Sequence, residues 1–163
     1  MNALILFDSR DGNTEQVARS MAEALRSAVS VRLEKVDQAS TLDAQGIDLL
    51  IVGGPTHRHK ASATLQAVLD SAPRQGLKGV KAAAFDTRYR MAAWLSGSAA
   101  KRIARQLRKL GARVIAPPES FFMERDVPPK GQKRRHELER LEAGELKRAA
   151  EWAIKIMKAA EET

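Results

Sequence analysis

The stretch from Leu4 to Val17, LILFDSRDGNTEQV, constrains the fold more than any other part of this chain. An apolar run stops at Asp8 and Ser9. A polar turn with a single glycine follows, and Thr14 opens a run with apolar residues at helical spacing. Strand, tight loop and helix in that order is the local geometry with which open α/β sheets hold an anion. The loop amides and the first helical amides converge there, and the helix dipole favours negative charge at that end.

The alternation continues along the chain. Ala3–Phe7 reads as a buried strand. Thr14–Ala28 reads as a helix, with Val17, Ala18, Met21, Ala22 and Leu25 on one stripe. Val29–Val36 alternates as a strand near a sheet edge, and Asp37–Gly46 has room for no more than a stub of helix. Ile47–Val52 is nearly continuous in apolar residues, as a central parallel strand buried on both faces should be, and Gly53-Gly54-Pro55-Thr56 reads as the turn after it. A helix over 61–72 and a short strand over 80–85 come next, then a long irregular segment over 86–97. Ser98–Leu110 is helical, and Gly111 is placed to end it in the left-handed conformation. Arg113–Ala116 begins a fifth strand, which Pro117 and Pro118 interrupt and which Ser120–Met123 resumes. Proline gives a ladder no N–H, so that strand belongs at an edge or a break. Residues 137–142 suit a helical turn. A closing helix over 145–160 points Leu146, Ala149, Ala150, Ala153, Ile154 and Met157 inward.

Five strands alternating with helices predict an α/β fold: a doubly wound parallel sheet with right-handed crossovers and helices on both faces. Its 163 residues fit one domain, 1–163, with a Pro-, Lys- and Arg-rich insertion at about 124–137. Ligands in such sheets sit beyond the strand C-termini. Here that means the loops at Ser9–Thr14, Pro55–Lys60 and Asp86–Arg90.

Charge narrows the partners. Residues 1–80 carry nine basic and nine acidic groups, so the net +8 arises wholly in 81–163. No acid lies between Asp86 and Glu119, an interval holding Arg88, Arg90, Lys101, Arg102, Arg105, Arg108, Lys109 and Arg113. This is either a solvated helix face or a docking surface for an acidic protein, a membrane surface or nucleic acid. Few aromatics interleave with these cations, which disfavours nucleic acid. No run reaches the roughly 18 apolar residues of a membrane span, leaving at most peripheral membrane contact. The absence of cysteine excludes disulfides and fits a cytoplasmic protein, the localisation expected here. His57 and His59 bracket Arg58 without further ligands nearby in the sequence, so no metal site is expected.

The first loop, Ser9-Arg10-Asp11-Gly12-Asn13-Thr14, is either a phosphate site or a purely structural strand–helix turn, and it has the parts of a phosphate cradle. Ser9 and Thr14 offer hydroxyls, Gly12 a tight turn, and Asn13 a cap or donor. It lacks the lysine of a P-loop and the glycine spacing of a dinucleotide fingerprint, so a phosphomonoester fits better than a nucleoside triphosphate or NAD. Asp11 beside a phosphate is repulsive unless it points away, and it can cap the helix instead.

LILFDSRDGNTEQVA resembles the flavodoxin signature of a strand, Ser/Thr-x-Thr-Gly-x-Thr and a helix, and IVGGPTH resembles the segment after that family's third strand. The resemblance extends over nearly the whole chain. It implies a flavodoxin-like three-layer sandwich of strand order 2-1-3-4-5 with FMN as cofactor. By position, Ser9, Arg10, Asp11, Gly12, Asn13 and Thr14 would wrap the FMN phosphate. Pro55, Thr56, His57 and Arg58 would lie along one side of the isoalloxazine, and Asp86, Thr87, Arg88 and Tyr89 along the other.

The chain departs from the family at Asp11, where Thr or Ser is usual. The Arg-Asp-Gly loop is similar to that of the flavodoxin-like, quinone-linked protoporphyrinogen oxidases. Flavodoxins that shuttle electrons are acidic, whereas this chain is basic, and its fourth-strand loop FDTRYRMAAWLSGS is unlike theirs. Tyr89 either stacks on the flavin or is a surface loop residue. His57 is a flavin contact, a proton relay or a polar loop residue. Trp94 reads as a plug anchoring its loop, Trp152 as packing and His136 as solvated. Guanidinium groups at Arg10, Arg88 and Arg90 would stabilise the negative charge of a reduced flavin and raise its potential above that of acidic flavodoxins.

The expected function is therefore an FMN-binding redox protein serving a redox partner protein or a quinone-type acceptor, the partner being acidic if the basic half docks it. No acid, base or nucleophile constellation is visible, so no catalytic residue is assigned. Two alternatives stand beside it. One is an FMN-dependent oxidoreductase acting on a quinone or porphyrin-like substrate. The other is a flavin-free module that docks an acidic partner or nucleic acid through its basic half.

Overall fold

A computed structural model describes residues 1–37, 41–56, 62–90, 97–124 and 140–163. The chain runs β1 (Asn2–Phe7), α1 (Asn13–Leu25), β2 (Ser30–Lys35), β3 (Leu49–Pro55), α2 (Ala63–Ser71), β4 (Lys81–Tyr89), α3 (Ala99–Lys109), β5 (Arg113–Val114), β6 (Glu119–Met123) and α4 (Glu145–Glu161). The sheet order is β2-β1-β3-β4-β5, with β6 also paired to β4, and every strand pairing is parallel. This is the predicted doubly wound order, with its reversal between β1 and β3.

Side-chain alternation sorts the core into two layers. Leu4, Leu6, Leu50, Val52, Ala82 and Ala84 meet α2 and α3. Ala3, Ile5, Phe7, Leu49, Ile51, Ala83 and Phe85 meet α1 and α4 on the other face. The central strands are buried on both faces, so their sequences are apolar without a break.

The fifth position in the sheet is filled by two short strands, as the paired prolines predict. β5 pairs the start of β4 at Lys81 and Ala82, β6 pairs its end from Phe85 to Tyr89, and Pro117 and Pro118 lie between them. Gly111, at φ 93°, occupies its expected left-handed position after α3.

Four expectations need correction. β4 does not stop at Phe85: Asp86–Tyr89 continue it, because β6 supplies a ladder for them. Gly53, Gly54 and Pro55 are strand rather than turn. The glycine at 53 answers a close approach, since a Cβ there would sit 2.1 Å from Cζ of Phe85. At 140–142 the chain is not helical: Leu141 bridges Met123 antiparallel, and the Glu142 amide donates to the Phe122 carbonyl. On α4, Leu146 is 40% exposed, while Ile156 and Ala160 join the buried stripe. Glu145 takes the enclosed place at the start of α4 because its carboxylate accepts the Phe122 amide and is paired with Arg148.

Candidate functional site

The loop between β1 and α1 is folded around Ser9. Its Oγ accepts the amides of Gly12 and Glu15, each at 3.2 Å, and the Gln16 amide reaches the Gly12 carbonyl at 3.0 Å. Gly12 stands at φ 85°, a conformation that L side chains rarely adopt, and space around its missing Cβ is open. Asp11 does not cap α1. It is exposed, and Ser9 does the capping from three residues before Gly12. Arg10 is exposed as well, while Ser9, Asn13 and Thr14 are buried.

Among the described residues, the amides of Arg10, Asp11 and Thr14 have no protein acceptor. The hydroxyl of Ser9 accepts two amides but keeps its own proton to donate. Thr14 Oγ1 lies 2.7 Å from Thr87 Oγ1, a buried contact in which either hydroxyl can donate. When Thr87 donates, the Thr14 proton is left for a further acceptor. The turn thus gathers donors around a half-buried glycine, with its one carboxylate on the surface.

The ends of β3 and β4 are locked together. The Thr56 amide donates to the Thr87 carbonyl at 2.9 Å. Asp86 is wholly enclosed, and its Oδ2 accepts the hydroxyls of Thr56 and Ser98, at 2.9 and 2.8 Å, and the Ala100 amide at 3.0 Å. Thr56 Oγ1 in turn accepts the Ala99 amide at 2.9 Å. Strand alternation explains the split: Thr87 faces α1, while Asp86 faces the start of α3 and spends its carboxylate on protein groups. Pro55 is buried at the end of β3.

Arg88 donates Nε to Ser120 Oγ and Nη1 to the Gly97 carbonyl, both at 3.1 Å, with Asp86 Oδ1 3.9 Å away. Tyr89 ends β4, partly buried. Arg90 forms a two-pronged pair with Glu142, 2.8 and 3.2 Å, and lies over the Phe122 ring at 4.0 Å. That hydrogen bond raises the Arg90 guanidinium pKa and lowers the Glu142 carboxyl below its ordinary value. Arg148 is likewise raised, first by its bond to Glu145 and then by Glu119. An open cleft of about 260 Å³ lies alongside, lined by residues that include Arg88, Ser98, Lys101, Glu119 and Phe122.

Of the residues singled out from the sequence, the fold brings Ser9–Thr14, Pro55–Thr56 and Asp86–Tyr89 to the C-terminal ends of β1, β3 and β4. His57, Arg58, His59, Trp94 and His136 lie outside the described residues, as does most of the basic insertion. Trp152 packs edge-on against Phe85 and Phe121, with centroids 6.4 and 6.1 Å apart. Sequence reading missed Ser98, Ser120 and Glu142 as partners of site residues. Ser98 alone carried a signal, as an N-cap residue ahead of an amphipathic run; its Oγ accepts the Lys101 amide. Among the described residues no three His, Asp or Glu groups gather as metal ligands. No described helix is long and apolar enough to cross a membrane.

The arrangement is similar to known proteins in sequence and in backbone. A family model described as "Flavodoxin domain" matches residues 4–93. A flavodoxin of Aquifex aeolicus is 38% identical over 69 residues, a match spanning 41% of this chain and 37% of that relative's length. Flavodoxin 1 from Bacillus cereus superposes with a TM-score of 0.77 at 17% identity, covering 97% of this chain and 98% of that one. The flavodiiron protein from Giardia intestinalis superposes at 0.71 and 18% identity over 98% of this chain and 36% of its own. At such identities the superpositions speak for the fold.

Proposed function

The chain belongs to the flavodoxin-domain family, and on that premise we propose that it binds FMN and serves as a redox protein. Flavin is the family's cofactor, and the residues present here suit its phosphate. The observation that carries the reading is the set of loop amides at the start of α1, those of Arg10, Asp11 and Thr14, that have no acceptor among the described residues. Asp11, the residue that argues against a dianion, stands on the surface.

In this proposal Ser9, Thr14 and the loop amides hold the phosphate, and Gly12 lets the backbone approach it. Pro55 to Arg58 and Asp86 to Tyr89 flank the ring, and Thr56, Thr87 and Asp86 keep the two strand ends in register. FMN, when bound, supplies the redox chemistry, and the protein contributes binding, orientation and charge. Arg10, Arg88 and Arg90 are the cations that bear on its reduced state. Arg90 is paired with Glu142 and Arg88 stands 3.9 Å from Asp86, so a carboxylate offsets part of the charge of each. The working partner is a redox protein or a quinone-type acceptor, and the setting is cytoplasmic.

A second reading, an FMN-dependent oxidoreductase acting on a quinone or porphyrin-like substrate, is favoured by the cleft beside Arg88. The cleft is open, has cations at Arg88 and Lys101, and has an aromatic wall at Phe122. The visible spectrum of the purified protein, before and after adding FMN, tests the shared premise: flavin absorbance that stays with the protein through gel filtration supports it. A protein that remains colourless in excess FMN contradicts both readings. Steady turnover with quinones then selects the oxidoreductase, and its absence the carrier.

A further inference from the structure

We propose that the outward face of α3 is the docking surface for an acidic redox protein, an inference that names the partner of the flavin site proposed above and rests on that reading for its purpose. Lys101, Arg102, Arg105, Arg108 and Lys109 are all exposed on this helix, and among the described residues none of them is in an ion pair.

Arg108 and Lys109 suit the last turn of the helix, but the other three gain it little. Lys101 and Arg102 stand in its first turn, where the dipole disfavours cations and where the helix carries no acid of its own. Lys101 and Arg105, and Arg105 and Lys109, are like charges four residues apart, which repel. Asp70 on α2, held by Gln106 of this helix, accepts from Gln66 and Gln106 instead of from the cations. A solvated face that served only solubility would mix both signs.

Position gives the face a use. The amides of Ala99 and Ala100, in the first turn of α3, are bonded to Thr56 and Asp86 at the ends of β3 and β4. A partner seated over Lys101 and Arg102 is therefore close to those strand ends, whereas Arg108 and Lys109 extend the face about 10 Å further along the helix. Three arginines present planar forks suited to carboxylates. Steered, weakly buried encounters of this kind suit electron transfer.

The chemistry of the face disfavours other anions. Its apolar residues, Ala100, Ile103, Ala104 and Leu107, are consumed in the core, so nothing is left to enter a membrane. It carries no aromatic ring to stack on bases, and Gln106 is held by Asp70.

The test uses a plant-type [2Fe–2S] ferredoxin as the acidic probe and the variant R102E/R105E/R108E, with circular dichroism confirming its fold. For the FMN-loaded protein, electron exchange with the probe should be fast at low ionic strength and fall steeply with salt. The variant should lose at least tenfold in rate and most of the salt dependence, with FMN affinity unchanged. Calorimetry on flavin-free protein separates the two claims. Salt-sensitive ferredoxin binding that the variant loses sustains the docking face even if FMN does not bind. No binding, or equal binding by the variant, overturns it. Tighter arginine-dependent binding to a 20-base-pair DNA duplex or to phosphatidylserine vesicles overturns the choice of partner.

Discussion

Ser9 and Gly12 decide whether the first loop can work, and they do so by different means. Ser9 folds the turn by accepting two amides, and Gly12 tolerates the positive φ that the turn requires. Gly12→Val places a β-branched residue in the left-handed region, at a cost of about 2 kcal/mol, and crowds the anion. Flavin fluorescence titration should show FMN affinity reduced at least tenfold, and an unchanged affinity would remove the loop from the site. Asp86 makes a different kind of prediction. Asp86→Ala strands two hydroxyls and the Ala100 amide, and urea unfolding should show a loss of about 3 kcal/mol, with Asp86→Asn losing less. Equal losses would mean that charge alone matters there. The loop was legible in sequence because its parts are contiguous. The Asp86 cluster was not, because Thr56 and Ser98 reach it from 30 and 12 residues away.

At the scale of elements, β4 is the piece that local pattern reading shortened. Asp86 and Thr87 look like the start of a loop, and only the pairing with β6 makes them strand. The same blindness turned Gly53 into a turn signal, when the ring of Phe85 requires its missing side chain. Gly53→Ala should therefore destabilise the fold by about 3 kcal/mol, at the upper end of overpacking costs. Phe85→Leu in that background should recover part of the melting temperature. No recovery would mean that the strain lies elsewhere. Pro117-Pro118 did announce the break between β5 and β6, since proline's missing donor is a local fact. The face that α4 buries was not a local matter: Leu146 fits the apolar stripe by spacing, yet Glu145 wins the buried position through Phe122 and Arg148.

For the whole molecule, the sheet order and the two-layer core followed from the alternation of apolar runs, whereas the placement of charge acquired meaning only with the fold. The net +8 sits in the half that supplies β4, α3 and the cations near the C-terminal end of β4. Each tenfold preference for a reduced, negatively charged flavin is worth about 1.4 kcal/mol, so a few guanidinium groups suffice to move the potential. A redox titration should place the reduction potential above that of acidic flavodoxins, and Arg88→Gln should lower it. A very low potential, insensitive to Arg88, would contradict this account of the charge.

The most direct measurement compares FMN with riboflavin, which lacks the phosphate, by fluorescence quenching at one ionic strength. If the amides between β1 and α1 hold a dianion, FMN binds at least a hundredfold more tightly. Equal affinities, or riboflavin the tighter of the two, would contradict that account.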